Sequence, residues 1–345
     1  MQKTKNKGFV IFSVLLYAVA IGLMIFGTFN DMKIDMALFN PENSISKLFE
    51  AFGLFVYWGI WGIAFAIIFV CRRDLNESLE VIGRLLPFVK SVKDTDGTAY
   101  KIFNFILKAV TTVGFFILCG VGWKKLIENV IKNVLLLSDK DNLSQAVYFI
   151  ISFVVAVISI ILVSKIDKKV LKKLEALALA GVLFGIFTKI IEECKTITSR
   201  VRFREMVAYS NGFLNDEGLS EGKYSSLTSA MVNSTDFSAF TPWYQKGNDF
   251  GIYNRADSFP SGHTTCSFAV FLSVLLCGAF DKLKRLVPFA LCVSTVYVFV
   301  MGYTRMVVGA HYLTDVAGAL IVGYTAFLIV RAVYNKFTGK GIIGK

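Results

Sequence analysis

Apolar and polar residues alternate along this chain in long blocks. About eight windows reach or approach the roughly 20 apolar residues that cross a hydrocarbon core of about 30 Å. They lie at 8–28, 51–71, 103–122, 145–164, 175–194, 264–280, 287–303 and 314–334. Their Gly, Phe and Leu content and few period-2 stretches argue for helices rather than alternating barrel strands. The predicted fold is all-α, a polytopic membrane helix bundle of about eight spans. The first window follows Lys3, Lys5 and Lys7, and Ala18-Val19-Ala20 imitates a signal-peptide cleavage site. The apolar run continues to Phe29, too long for such a peptide, so a retained span is expected.

Two polar blocks stand out. Residues 72–101 connect the second and third windows and contain ESLEVIGRLLPFVKSV, amphipathic enough to lie on the membrane surface or else a plain linker. Residues 204–257 form the longest loop, rich in Ser, Asn, Gly and Asp, with Trp243 and Tyr244, and read as a lid, a binding loop or a solvated connector. The organisation expected from spacing is two N-terminal spans (1–71), a cytoplasmic connector (72–101), a six-span core (102–335) and a cytoplasmic tail (336–345).

Composition agrees with the pattern: 55% of the 345 residues are hydrophobic, 18% are charged, and the mean hydropathy is +0.60. That excludes a water-soluble domain of average make-up. The net charge of +12 changes the picture only through its distribution. Lys and Arg gather in MQKTKNK, 72–101, KIDKKVLKK, DKLKR and the tail, not along an aromatic-studded patch, so no nucleic acid partner is expected. The positive-inside rule puts those segments in the cytoplasm and loops 29–50, 123–144, 195–263 and 304–313 outside, although Lys124, Lys125, Lys132 and Lys140 run against it in one loop. The six cysteines, all in or beside apolar windows and without C-x-x-C spacing, read as buried thiols. The two histidines, His263 and His311, fall on the same outer face.

Three constellations carry candidate chemistry. In TRMVVGAHYLTD, His311 and Asp315 stand one helical turn apart. The carboxylate can accept one imidazole N–H and leave the other nitrogen as a nucleophilic lone pair; a helix-surface hydrogen bond is the plainer alternative. Arg305 offers a charged fork for phosphate or carboxylate oxygens, or an anchor for lipid head groups. In SFPSGHTT, Pro260 suits a first helical turn, Ser261 supplies a hydroxyl and Gly262 permits close approach. The helix N-terminus attracts an anion, and His263 is a candidate general acid there or merely a cap residue facing water. In KTITSRVRFRE, a continuing helix would stack Lys195 and Arg202 on one side, with Arg200 and Arg204 enlarging a basic patch or a solvated face.

Together these segments, Lys195-x6-Arg202-Phe203, Pro260-Ser-Gly-His263 and Thr304-Arg305-x5-His311-x3-Asp315, closely resemble the type 2 phosphatidic acid phosphatase superfamily, whose pattern is K-x6-R-P, P-S-G-H and S-R-x5-H-x3-D. Phe203 stands for a proline and Thr304 for a serine. The resemblance covers about 103–334, a six-helix core preceded here by two further spans. It implies a membrane-bound phosphatase without metal or other cofactor. His311 would attack phosphorus, oriented by Asp315; His263 would protonate the leaving group; Lys195, Arg202, Arg305, Ser261 and Gly262 would hold phosphate oxygens. The expected substrate is a lipid phosphate: polyprenyl pyrophosphate, phosphatidate or phosphatidylglycerol phosphate. The expected location is a bacterial plasma membrane with the site on its outer face. A non-enzymatic lipid-phosphate binder or transporter, and a lipid phosphotransferase, are the competing expectations.

Overall fold

The structure, a computed structural model, describes residues 2–71, 112–128, 142–213, 226–247 and 257–339. The connector 72–101 and its amphipathic stretch lie outside the described residues, as do parts of the third window, of the long loop and of the tail. The regular elements described are α1 (Gln2–Leu38), α2 (Ser44–Phe52), α3 (Phe55–Cys71), α4 (112–128), α5 (Asn142–Ser164), α6 (Lys168–Glu193), α7 (Phe203–Ser210), α8 (Gly262–Ser267), α9 (Leu272–Ala279), α10 (Val287–Val307) and α11 (Leu313–Thr338). Short 3-10 turns lie among them, one of them bridging α8 to α9 within the predicted sixth span. Among the described residues, 7 helical segments are long and apolar enough to cross a membrane. The chain is an integral membrane protein with an all-α polytopic fold.

The chain forms two compact units. One comprises 58–128 and 138–182 and is packed around Phe65, Ile67 and Ile68 of α3, Cys119 of α4, Ala156 and Val163 of α5 and Ala178 of α6. The other comprises 1–57, 129–137 and 183–345, and it holds every candidate site residue.

Within that second unit α1 lies antiparallel to α11. The Ser13 hydroxyl meets the Tyr324 hydroxyl at 2.7 Å and Tyr17 meets Thr325 at 2.7 Å, while near the other end Asp31 accepts the Thr314 N–H at 3.0 Å. The 37 residues of α1 rise about 55 Å, well beyond a hydrocarbon core of about 30 Å. Here the sequence expectation fails, because 29–50 reads as an outer loop and is mostly helix. Polar residues such as Asn30, Asp31, Lys33 and Asp35 interrupt the apolar pattern without interrupting the helix, since Asp31 and Asp35 are buried in the protein. Part of the long loop is likewise ordered. Phe203, Met206 and Val207 of α7 pack with Phe39, Leu227, Val232 and Tyr312 into an apolar cluster at that end of the unit. Cys292, expected to be buried, is exposed on α10.

Candidate active site

Gly309 shapes the segment that carries His311. It ends α10 with a φ of +64°, where a Cβ would stand 2.7 Å from the Phe39 ring. The Ala310 N–H reaches back to the Arg305 carbonyl at 3.0 Å, and the chain turns directly into α11. Tyr312 is the N-cap of α11, so His311 precedes the helix and does not share its face with Asp315 as the sequence spacing predicts. Asp315 is instead the third residue of that helix, where its Oδ2 accepts the Tyr312 N–H at 2.8 Å.

This arrangement reassigns one hydrogen bond. His311 Nδ1 lies 2.8 Å from the Ser258 carbonyl and 3.7 Å from Asp315 Oδ2, a distance too long for a hydrogen bond. A carbonyl only accepts, so Nδ1 carries the proton and Nε2 carries the lone pair of the neutral ring. Asp315 acts on the imidazole by charge. Burial holds the His311 pKa below its ordinary value; Asp315 pulls it up, and Arg202 and Lys195 push it further down.

Asp315 is in turn fixed by groups the sequence reading did not single out for it. The Ser258 hydroxyl donates to Oδ2 at 2.5 Å and Arg200 Nη1 donates to Oδ1 at 2.6 Å. Arg200 is fully buried, and it also donates to Asp31 Oδ2 at 2.8 Å, Thr314 Oγ1 at 2.8 Å and the Thr241 carbonyl at 2.8 Å. Its guanidinium carbon sits 3.9 Å from the centre of the Tyr312 ring. Burial works against its charge, yet Asp315, Tyr312 and Asp31 outweigh that and hold its pKa above the ordinary value. Arg200 is thus a buttress of Asp315 rather than part of an open basic patch.

SFPSGHTT does several jobs at once. Ser258 bonds both His311 and Asp315, and the Phe259 ring stacks against Trp243 with centroids 5.7 Å apart. Ser261 is the N-cap of α8, so Pro260 lies just ahead of the helix and not in its first turn. The Ser261 N–H donates to the Asp315 carbonyl at 3.0 Å, tying the α8 and α11 starts together. The Ser261 hydroxyl is committed to Thr264, at 2.9 Å from its hydroxyl. Gly262 has no side chain because Lys195 Nζ is there: a Cβ would stand 2.7 Å from it. His263 is half-buried and feels the charges of Arg305, Glu50, His311 and Lys195.

The cations arrive by a broken path. After α6 the chain makes a 3-10 turn over Cys194–Ile197 and passes through Ser199 at a φ of +45°. Arg202 then becomes the N-cap of α7, so no continuing helix stacks it on Lys195. Both side chains are nevertheless buried, and both act on His311. Burial, with Arg202 adding to it, lowers the Lys195 pKa, while Asp257 and Glu192 oppose the shift. Arg202 pairs with Asp257 at 2.8 Å. Phe203, where the family pattern has proline, packs at 5.2 Å against the rings of both Phe39 and Phe237. The Thr304 hydroxyl turns back onto the Met301 carbonyl at 2.8 Å. Arg305 is buried and donates through Nη2 to Glu50 at 3.0 Å, while among the described residues its Nε and Nη1 have no hydrogen-bond partner. Buried guanidinium donors left unpaired are costly unless an anion meets them.

Residues 222–338, which include both histidines, Arg305 and Asp315, match the family model described as the PAP2 superfamily. Over that segment, about a third of the chain, the sequence is similar to the PAP2 superfamily. Members of the PAP2 superfamily are generally phosphatases, so the match supports a phosphatase-type hydrolase of lipid phosphates in general terms. No curated protein and no solved structure matches the chain. Lys195, Arg200, Arg202, Asp31 and Glu50 lie outside the matched segment and join it only in three dimensions.

Proposed function

We propose that the protein hydrolyses a lipid phosphomonoester or pyrophosphate through a phosphohistidine on His311, without a metal ion, on the extracytoplasmic face. The observation that carries this reading is the His311–Ser258 hydrogen bond, because it leaves Nε2 as the lone-pair nitrogen beside buried cations. In the first step Nε2 bonds to phosphorus as the bond from phosphorus to the leaving oxygen breaks, and His263 passes its proton to that oxygen. In the second step water attacks phosphorus, neutral His263 takes its proton, and the phosphorus–nitrogen bond breaks to release phosphate and restore His311. Lys195, Arg202 and Arg305 hold the equatorial oxygens, where charge develops. Asp315 stabilises the imidazole as its nitrogen gains charge. Gly262 leaves room for the Lys195 amine, and Ser261 holds the turn that brings His263 into place.

The site's position at the end of α1 and α11 remote from the basic N-terminal segment supports the outer face. The test compares His263→Ala on an alkyl phosphate and on an aryl phosphate, both in EDTA. General acid catalysis is worth about 10²–10⁴-fold, so the alkyl substrate should lose about that much, and the aryl substrate, whose leaving oxygen hardly needs a proton, far less. Equal losses on the two would remove His263 from the acid role. An absolute need for magnesium would contradict the metal-free route.

A further inference from the structure

Glu50 is a site carboxylate that lies outside all three motifs. It sits on α2, a nine-residue helix ahead of the matched segment. Its Oε1 accepts from Arg305 Nη2 at 3.0 Å and from Arg204 Nη1 at 3.1 Å. The placement is built into the fold. Asn43 caps α2 by accepting the Ser46 N–H at 2.9 Å. Both ends of the segment are tied to α10, which carries Arg305: the Asn40 N–H donates to the Val307 carbonyl at 2.8 Å and the Tyr297 hydroxyl to the Gly53 carbonyl at 2.6 Å.

A carboxylate beside a phosphate-binding arginine has two possible meanings, a rival for the anion seat or a brace for the guanidinium. The contacts favour the brace. Glu50 engages one nitrogen of Arg305 and leaves Nε and Nη1 without a partner among the described residues. Its second arginine is Arg204, which is outside the phosphate-binding set, and no bond joins it to Lys195 or Arg202 among the ion pairs of the described residues. We propose that Glu50 is a positioning residue of this site, holding the Arg305 guanidinium through Nη2 so that Nε and Nη1 are presented to the phosphate oxygens. This rests on the reading of Arg305 as a phosphate ligand. Since α2 precedes the matched segment, the N-terminal part of the chain completes the anion cradle.

The test measures binding of orthovanadate to the purified full-length protein by titration calorimetry in EDTA, for wild type, Glu50→Ala, Glu50→Gln and Arg305→Ala. Coulomb's law alone says that removing a negative charge from a cationic pocket tightens anion binding, equally for both Glu50 variants. Bracing gives the opposite sign and a gradient. Glu50→Ala should weaken vanadate by roughly tenfold or more, the size of one misplaced charge-assisted hydrogen bond. Glu50→Gln retains an acceptor oxygen for Arg305 and should lose less. Tighter binding in either variant, or affinity unchanged in Glu50→Ala while Arg305→Ala weakens it, overturns the brace. No effect of Arg305→Ala, or no vanadate binding by wild type, would instead overturn the phosphate-cradle reading beneath it. Should Glu50→Ala fail to fold, the Glu50→Gln affinity decides by its sign.

Discussion

Replacing Arg200 with methionine keeps most of the side-chain volume and removes the charge from the network behind His311. The wild-type guanidinium is fully buried and bridges Asp31 at 2.8 Å and Asp315 at 2.6 Å. Removing one partner of a buried ion pair typically costs about 3–5 kcal/mol, because the other charge stays buried without compensation. In Arg200→Met two carboxylates are left so, and the Thr241 carbonyl loses its donor, which places the expected loss at the upper end of about 3–5 kcal/mol. With about 1.4 kcal/mol per factor of ten, the folding equilibrium should fall by roughly three orders of magnitude. Equilibrium denaturation of the protein in detergent, followed by tryptophan fluorescence, measures it. Adding Asp31→Asn to Arg200→Met removes one of the stranded charges, so the double variant should regain about 1–3 kcal/mol, the coupling expected of side chains in one network. A loss below about 1 kcal/mol for the single variant, the level of a surface pair, or strict additivity in the cycle, would refute the buttress.

Ser258→Ala removes the hydroxyl that holds Asp315 Oδ2 and keeps the carbonyl that holds His311; kcat should fall about tenfold, the weight of one charge-assisted hydrogen bond, with KM little changed, as initial rates on a lipid phosphate in mixed micelles will show. Because burial lowers the Lys195 pKa, its ammonium is lost at lower pH than that of an ordinary lysine, and kcat/KM, which reports the free enzyme, should decline on the alkaline side at correspondingly lower pH. Lys195→Arg should carry that limb to higher pH. His311 works in the other direction on stability: its folded pKa lies below its unfolded one, so the unfolded chain binds the extra proton and stability should decrease as pH falls below about 6.5, whereas an unchanged midpoint of denaturation between pH 7 and 5 would contradict a buried neutral ring.

The reading from sequence reaches chemistry that is written in side chains at fixed spacing. His263, Lys195, Arg202, Arg305, His311 and Asp315 were all singled out, and the fold brings their side chains into electrostatic reach of one another. It failed where the partner is backbone or lies far along the chain. The acceptor for His311 is the main-chain carbonyl of Ser258, 53 residues away, and a carbonyl leaves no mark in a sequence. Asp31 lies 283 positions from Thr314 and Glu50 lies 255 from Arg305, in a stretch whose polarity reads as a loop. One signal was available: Asp31 and Asp35 stand one helical turn apart directly after an apolar run, the spacing of acidic residues on one face of a helix that has not ended. Neither pair shares a continuous helix: the extended N-cap Tyr312 starts α11 after His311, and Ser199, in the left-handed region, breaks the chain between Lys195 and Arg202. The residues met all the same, since the loops were shaped to bring them there.

The central claim is that His311 becomes phosphorylated during turnover, and its most direct measurement is alkaline quenching of the working enzyme followed by mass spectrometry of its peptides. Substrate should leave a phosphate, stable in base and lost in acid, on the peptide carrying His311, with none on His263 and none in His311→Ala. Phosphate trapped on His263, or full turnover by His311→Ala, would contradict the account.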